Sequence, residues 1–245
     1  MKDRTDLKTR GFTFTELLVV VSVGAVLAGT ILPALDTAQD TLKAAVCLSN
    51  MHQWGLGFSL YAADQRDYWP AEGSNFSVID GGSNLNAWFN VVPPYLKQAP
   101  LIQYYEGGTP PGPLTKSIWI CPSATNRTES VTLSSPYFTY AFNSRMDPNG
   151  SGQFKRGQCV APATTILFAE EAEDSFCNTT GRFAPARHFG GGNFVLCDGH
   201  AEWIAYTNFC RQCPANPFTD SNSTATGDWK TGVPYHWFPF KGAST

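Results

Sequence analysis

Arg10-Gly11-Phe12-Thr13-Phe14-Thr15-Glu16-Leu17 is the junction between a short charged leader and a long apolar run that carries one carboxylate just inside its edge. From Leu17 to Leu35 no residue is charged. As a helix rising about 1.5 Å per residue, this run would be roughly 28 Å long, close to the hydrocarbon thickness of a bilayer. Ahead of it, Lys2, Arg4, Lys8 and Arg10 outnumber Asp3 and Asp6. Such a bias would hold the N-terminus in the cytoplasm and send everything beyond Leu35 across the membrane.

A secretory signal would be cut beyond its apolar core after a small-x-small site, and the sequence around Thr37-Ala38 is a poor match. A plain uncleaved signal anchor is one alternative. The other is processing at the opposite edge: Gly11 followed by Phe12, with Glu16 at the fifth position counted from Phe12, resembles the processing site of type IV prepilins and type II secretion pseudopilins. The resemblance implies that a membrane peptidase cuts after Gly11, methylates the new N-terminal Phe12 and leaves the apolar helix attached. It further implies that Glu16 acts in assembly, pairing with the N-terminus of a neighbouring subunit. Pro33 stands where such helices often carry a bending proline, because a proline inside a helix removes one backbone hydrogen bond and kinks the axis.

Of the 245 residues, about 180 remain beyond leader and stalk, enough for one domain with its own core. The formal net charge of -3 gives no basic footprint, so nucleic acid is not an expected ligand. Charged residues make up only 15%, while aromatic, Gly, Pro, Asn, Ser and Thr residues are plentiful, which suits a loop-rich exported β domain better than a cytosolic enzyme. The seven cysteines fit the same compartment as disulfides, and their odd number leaves at least one unpaired or intermolecular.

Past Pro33 the helical pattern continues to about Ala63, with Leu48, Met51, Gly55, Phe58 and Ala62 forming an apolar stripe that Trp54 and Tyr61 widen. Asp36, Asp40 and Lys43 mark the exit from the membrane, and Asp64, Asp67 and Pro70 end the helix. From Glu72 to Pro113 the Gly-, Asn- and Pro-rich sequence reads as surface loops with one short helix around Asn86 to Leu96. Ser117 to Cys121, Tyr137 to Asn143 and Thr164 to Ala169 read as short strands. Phe194 to Cys197, Asp198-Gly199 and His200 to Tyr206 read as a hairpin with a type I′ turn, since Gly accepts positive φ and Asp tolerates it. The tail from Phe209 to Thr245 reads as an irregular arm.

Cys47-Leu48-Ser49-Asn50, the stretch Tyr61 to Pro70, Cys121-Pro122-Ser123, and His188 followed after nine residues by Asp198-Gly199 resemble landmarks of prepilin-like proteins with an H-x9-D-G motif near their C-terminus. This resemblance implies an α+β, pilin-like fold: a long N-terminal helix whose C-terminal half packs on an antiparallel sheet. The expected organisation is a leader over 1–11, a membrane or filament-core helix over 12–35, an amphipathic half over 36–64 and an exported β-rich domain over 65–245. That domain carries the motif hairpin at 188–206 and the arm at 207–245.

Candidate chemistry in the domain is weak. His188, Asp198 and His200 could hold a metal, or His188 could form an acid-base pair with Glu170 or Glu171. The simpler readings are a turn aspartate, an exposed His200, and a His188 hydrogen bond tying the loop Phe189 to Asn193 back onto the hairpin. Asp147 to Ser151 offers oxygens at calcium-like spacing but lacks the distal bidentate Glu, so turn chemistry explains it more simply, and no cofactor is required. Cys210 and Cys213 form a lone CxxC outside a βαβ context. Cys47 and Cys121 are the expected disulfide, one on the helix face meant to meet the domain and the other ending a candidate strand; Cys159 with Cys177 and Cys210 with Cys213 are weaker pairings.

The function expected from these features is structural: a pilin or pseudopilin that catalyses no reaction. Its expected partners are the prepilin peptidase, other pilins, an inner-membrane assembly platform and lipid before assembly. The rival class is a membrane-tethered binding protein that never polymerises.

Overall fold

The computed structural model describes residues 11–73, 84–112, 115–124, 136–146, 154–174, 177–179, 187–209, 234–237 and 239. The chain forms two compact units, Met1–Leu42 and Lys43–Thr245. Helix α1 (Phe14–Asp64) contributes to both. Asp147 to Ser151, Cys210, Cys213 and most of the expected C-terminal arm lie outside the described residues.

In the first unit α1 starts on a capping box. Thr13 is its cap: the Glu16 amide donates to Thr13 Oγ1 (3.3 Å), and Glu16 Oε2 accepts from the Thr13 amide (2.8 Å) and hydroxyl (2.7 Å). These bonds satisfy donors that the first turn of a helix otherwise leaves without partners. The helix is continuous through Pro33, whose missing N–H leaves the Gly29 carbonyl without its usual partner. Every residue from 11 to 42 is exposed, including Leu18, Val21, Leu27 and Leu32. Among the described residues α1 is the one helix long and apolar enough to cross a membrane.

In the second unit the same helix buries Cys47, Asn50, Met51, Trp54, Gly55, Gly57, Phe58 and Ala62. Leu48, expected in the stripe, is only half-buried, because the covered face is centred on Cys47, Met51 and Trp54 instead. The helix stops where Arg66 and Asp67 take φ of 55° and 70°, and the Asp67 amide reaches back to the Ala62 carbonyl (2.8 Å). That six-to-one bond is a Schellman ending with Arg in the position glycine usually fills.

Among the described residues five strands form one sheet: β1 (Phe138–Asn143), β2 (Ile166–Asp174), β3 (Asn178–Thr179), β4 (Gly191–Leu196) and β5 (Ala201–Ala205), in the order β3-β1-β2-β4-β5. β1, β2, β4 and β5 are antiparallel neighbours, and the two-residue β3 adds a parallel edge. A pilin-like α+β layout results, with the C-terminal half of α1 packed on the sheet. Trp54 sits at the centre of the packing, with ring centroids 5.0 Å from Trp119, 5.3 Å from Trp88 and 5.6 Å from Phe168. A smaller cluster of Ile166, Ala169, Phe194, Leu196, Ile204, Phe209 and Trp237 forms a second core.

Two local expectations change. Ser117 to Cys121 is a run of turns rather than a strand. Its carbonyls serve side chains: Ser117 and Ile120 accept from Asn50 Nδ2 (3.4 Å each), Ile118 from Trp54 Nε1 (2.9 Å) and Trp119 from Thr139 Oγ1 (3.1 Å). With its backbone groups satisfied this way, the segment has no need of a ladder. The second change concerns the hairpin. Asp198 does not adopt positive φ, whereas Gly199 does at 98°; the loop is Cys197-Asp198-Gly199, with the Gly199 amide bonded to the Leu196 carbonyl (2.9 Å). Such a three-residue loop closes on a glycine bulge and not on a type I′ turn. Two positive φ angles in succession occur instead at Phe189 (51°) and Gly190 (78°), where His188 and Gly191 exchange both backbone bonds (2.8 and 2.9 Å). Gly191 and Gly192, expected within a loop from Phe189 to Asn193, thereby become the start of β4.

Candidate functional site

Two places carry the sequence's candidate residues: the start of α1, and the two ends of β4. At the first, Gly11 and Phe12 precede the helix and are exposed, with Phe12 79% accessible. Glu16 is one turn in and, among the described residues, is engaged by Thr13. The Thr-x-x-Glu spacing ahead of an apolar run is the sequence signature of such a cap, and it gives Glu16 a local task besides any role between subunits.

At the second place, β4 runs between the two halves of the H-x9-D-G motif. His188 lies at its N-terminal end and is buried; its Nε2 is 2.9 Å from Glu170 Oε1 on β2 and 3.4 Å from Cys121 Sγ. Asn193 Nδ2 also donates to Glu170 Oε1 (3.0 Å). Of the two tandem glutamates in β2, Glu170 is the partner of His188. A buried carboxylate is tolerated only with such neighbours, because removing a charge from water without them costs several kcal/mol, on the order of a third of a domain's stability. Next to it, Asn50 Nδ2 of α1 donates to Tyr140 Oη (3.2 Å), whose ionisation burial and then the Glu170 charge push well above the usual tyrosine range. The backbone end of His188 is held by Trp203 Nε1, which donates to its carbonyl (2.7 Å).

Cys47 of α1 and Cys121 are bonded across a sequence separation of 74, with Cα atoms 5.2 Å apart, beside this polar cluster. The side chains of Cys47, Cys121, Glu170 and His188 offer ligand atoms that all lie within 4.8 Å of one another. Thiolates are what a zinc ion would need from the two cysteines, and the S–S bond consumes both, so the bonded set is not a metal-ligand set. Cys159 and Cys177, the weaker expected pair, are not joined. Cys177 sits at the β3 edge, where its carbonyl accepts from Trp88 Nε1 (2.8 Å) and the Phe142 amide (3.0 Å).

The other end of β4 is the Asp198-Gly199 turn, six strand residues away, roughly 20 Å along an extended chain. His188 and Asp198 therefore share no site. Asp198 Oδ1 accepts from the His200 amide (3.1 Å) and lies 2.6 Å from His200 Nδ1, a local turn bond on the surface. Gly199 packs against α1: a Cβ on Gly55 would stand 2.5 Å from the Gly199 carbonyl oxygen, and one on Gly199 would stand 2.6 Å from Ser59 Oγ. The amphipathic half of α1 is thus fastened at two points, by the Cys47–Cys121 disulfide beside the buried His188–Glu170 contact at one end of β4 and by the Gly55–Gly199 approach at the other. Gly55 and Asn50, named in the sequence only as a stripe residue and as part of a landmark, and Asn193 and Tyr140 are parts of this clasp whose roles the sequence did not show; glycine in the middle of a helix, destabilising by about 1 kcal/mol relative to alanine, was the available signal for the first.

A family model described as the prokaryotic N-terminal methylation motif matches residues 7–32. The N-terminus is a prepilin-type methylation segment. Together with the apolar helix that follows, the match is consistent with a type IV pilin-like protein and with a structural subunit rather than an enzyme. The prepilin-type segment covers Gly11, Phe12, Glu16 and the first turns of α1 and leaves the domain unassigned. Comparison with curated proteins and with solved structures gave no match.

Proposed function

We propose that the chain is a pilin or pseudopilin subunit, cut by prepilin peptidase after Gly11, methylated on Phe12 and assembled through the N-terminal half of α1 into a filament that displays the clasped domain. In this reading the precursor is a single-pass inner-membrane protein with its C-terminal domain on the far side, and the filament takes up other copies or related pilins through an inner-membrane assembly platform. The observation that carries the reading is the methylation motif over 7–32, set on a helix whose residues from 11 to 42 are all exposed. From Leu17 to Leu35 this helix is hydrophobic all round and needs an apolar surrounding on every side, which a bilayer supplies first and a bundle of like helices afterwards.

Glu16 supports the same reading. A carboxylate inside an apolar span costs on the order of 2 to 3 kcal/mol near the bilayer centre and less at its edge. Cleavage at Gly11 frees an α-amine on Phe12, protonated at neutral pH with a pKa of about 8. In a low-dielectric filament core that cation and the Glu16 carboxylate of a neighbour attract strongly and set the axial register.

Intact mass spectrometry and electron microscopy of sheared surface material test the proposal together. The mature chain should begin at methylated Phe12; retention of residues 1–11 in cells that have the peptidase overturns the processing step. Glu16→Gln preserves a capping side chain and removes only the charge. It should be processed and inserted normally yet yield few filaments, and filaments as abundant as the parent's would remove the register role and favour a tethered protein that never polymerises.

A further inference from the structure

Cys159 and Cys197 are 38 positions apart in sequence, lie in one buried core cluster, and are near enough for each thiol to shift the other's ionisation. Both are buried, Cys197 completely and Cys159 with 8% of its surface left accessible. Backbone bonds hold the two segments side by side: the Cys197 amide donates to the Thr165 carbonyl (2.9 Å) and the Asp198 amide to the Pro162 carbonyl (3.1 Å). Thr165 Oγ1 closes the intervening turn by donating to the Ala161 carbonyl (2.9 Å). The thiols are thus presented to one another by backbone that is fixed on both sides.

We propose that Cys159 and Cys197 are a second disulfide site, which closes when the domain meets a disulfide oxidant and locks the segment 159–165 onto the turn bearing Asp198 and Gly199. The order of events follows from the surroundings. Hydrogen bonding from the Cys197 thiol holds the Cys159 thiol down at about 7, whereas burial pushes Cys197 up. Cys159 is the more acidic and the less completely buried of the two, so its thiolate attacks a sulfur of the oxidant's disulfide, forms a mixed disulfide and expels one thiolate. Cys197 then loses its proton and attacks Cys159 Sγ, breaking the mixed bond and expelling the second thiolate. Two thiols lose two protons and two electrons, and the oxidant's disulfide takes up both electrons to become a dithiol.

The consequence is specific to this fold. Gly199, which follows Asp198 in the same turn, packs on Gly55 and Ser59 of α1. A Cys159–Cys197 bond would brace the second fastening point of the clasp, as Cys47–Cys121 braces the first. The proposal needs only an oxidant and does not depend on whether the chain polymerises.

The test is peptide mapping of the full-length detergent-solubilised protein without reduction, after equilibration in oxidised and reduced glutathione at a ratio where Cys47–Cys121 has closed. The expected result is a crosslinked peptide pair containing Cys159 and Cys197, two hydrogens lighter than its components, and its complete loss in Cys159→Ser and in Cys197→Ser while the Cys47–Cys121 peptide persists. In the fully reduced protein, iodoacetamide at pH 7 should label Cys159 at least tenfold faster than Cys197. Both cysteines remaining alkylatable while Cys47–Cys121 is closed, or Cys159 or Cys197 crosslinked to Cys177, Cys210 or Cys213, would overturn it.

Discussion

The stretches 14–42 and 43–64 belong to one helix and present opposite surfaces. In the first, apolar side chains point in all directions and none is buried. In the second, Met51, Trp54 and Phe58 are fully covered while Leu56 and Leu60 remain open, so burial follows one stripe. Helix propensity cannot produce this contrast, because both stretches are equally helical. What differs is the cover each requires: a stripe is satisfied by one sheet, and an all-round apolar surface only by an apolar medium or by several helices. In the proposed function the first stretch exchanges surroundings, from lipid to filament core, while the second keeps its own.

Substitutions can break this contrast. The largest effect should come from Trp54→Ala, which empties the centre of the aromatic packing and should lower domain stability by roughly 3–5 kcal/mol in urea unfolding, whereas Leu27→Ala should leave the domain's midpoint unchanged. Equal shifts from both would mean that the two stretches are not energetically distinct. Replacing Cys47 and Cys121 together by Ala should cost roughly 2–4 kcal/mol, read as the difference in unfolding midpoint from the oxidised parent. Gly55→Ala places a methyl against the Gly199 carbonyl and should cost roughly 1–3 kcal/mol; the same change at Gly24, which has nothing within 4 Å, should not destabilise the domain. Smallest is the cap: Thr13→Ala should lower helix stability by about 1 kcal/mol, visible as faster amide exchange confined to the first turn of α1, with the domain's exchange unaltered.

Much of the site near Gly11 was legible because its signals are local. Charge asymmetry, an uncharged run and a carboxylate at fixed spacing depend on neighbours in sequence, and so does the ending of α1 near Asp64. The clasp was legible only in fragments. His188 stood out as a residue, and Glu170 and Glu171 stood out as its two alternative partners, but the choice of Glu170 depends on which face of β2 meets α1. Register decides that, and a one-residue slip would exchange the two glutamates.

The hairpin shows the same division. Asp198-Gly199 was enough to predict a turn between two strands, since glycine alone accepts φ of 98° without strain. It was not enough to predict a three-residue loop, which arises because Cys197 and Asp198 give their amides to Thr165 and Pro162 of another segment. Likewise Ser117 to Cys121 has the composition of a strand, yet side chains from α1 and β1 take its carbonyls first. By itself the sequence determined the long helix, its apolar first half, its methylation segment and the strands β1, β2, β4 and β5, because each rests on the periodicity and chemistry of adjacent residues. Tertiary structure alone decided which glutamate His188 meets, which glycine of α1 receives Gly199 and which cysteine faces Cys159, because those choices are made by groups far apart in the chain competing for the same buried hydrogen bonds and the same space.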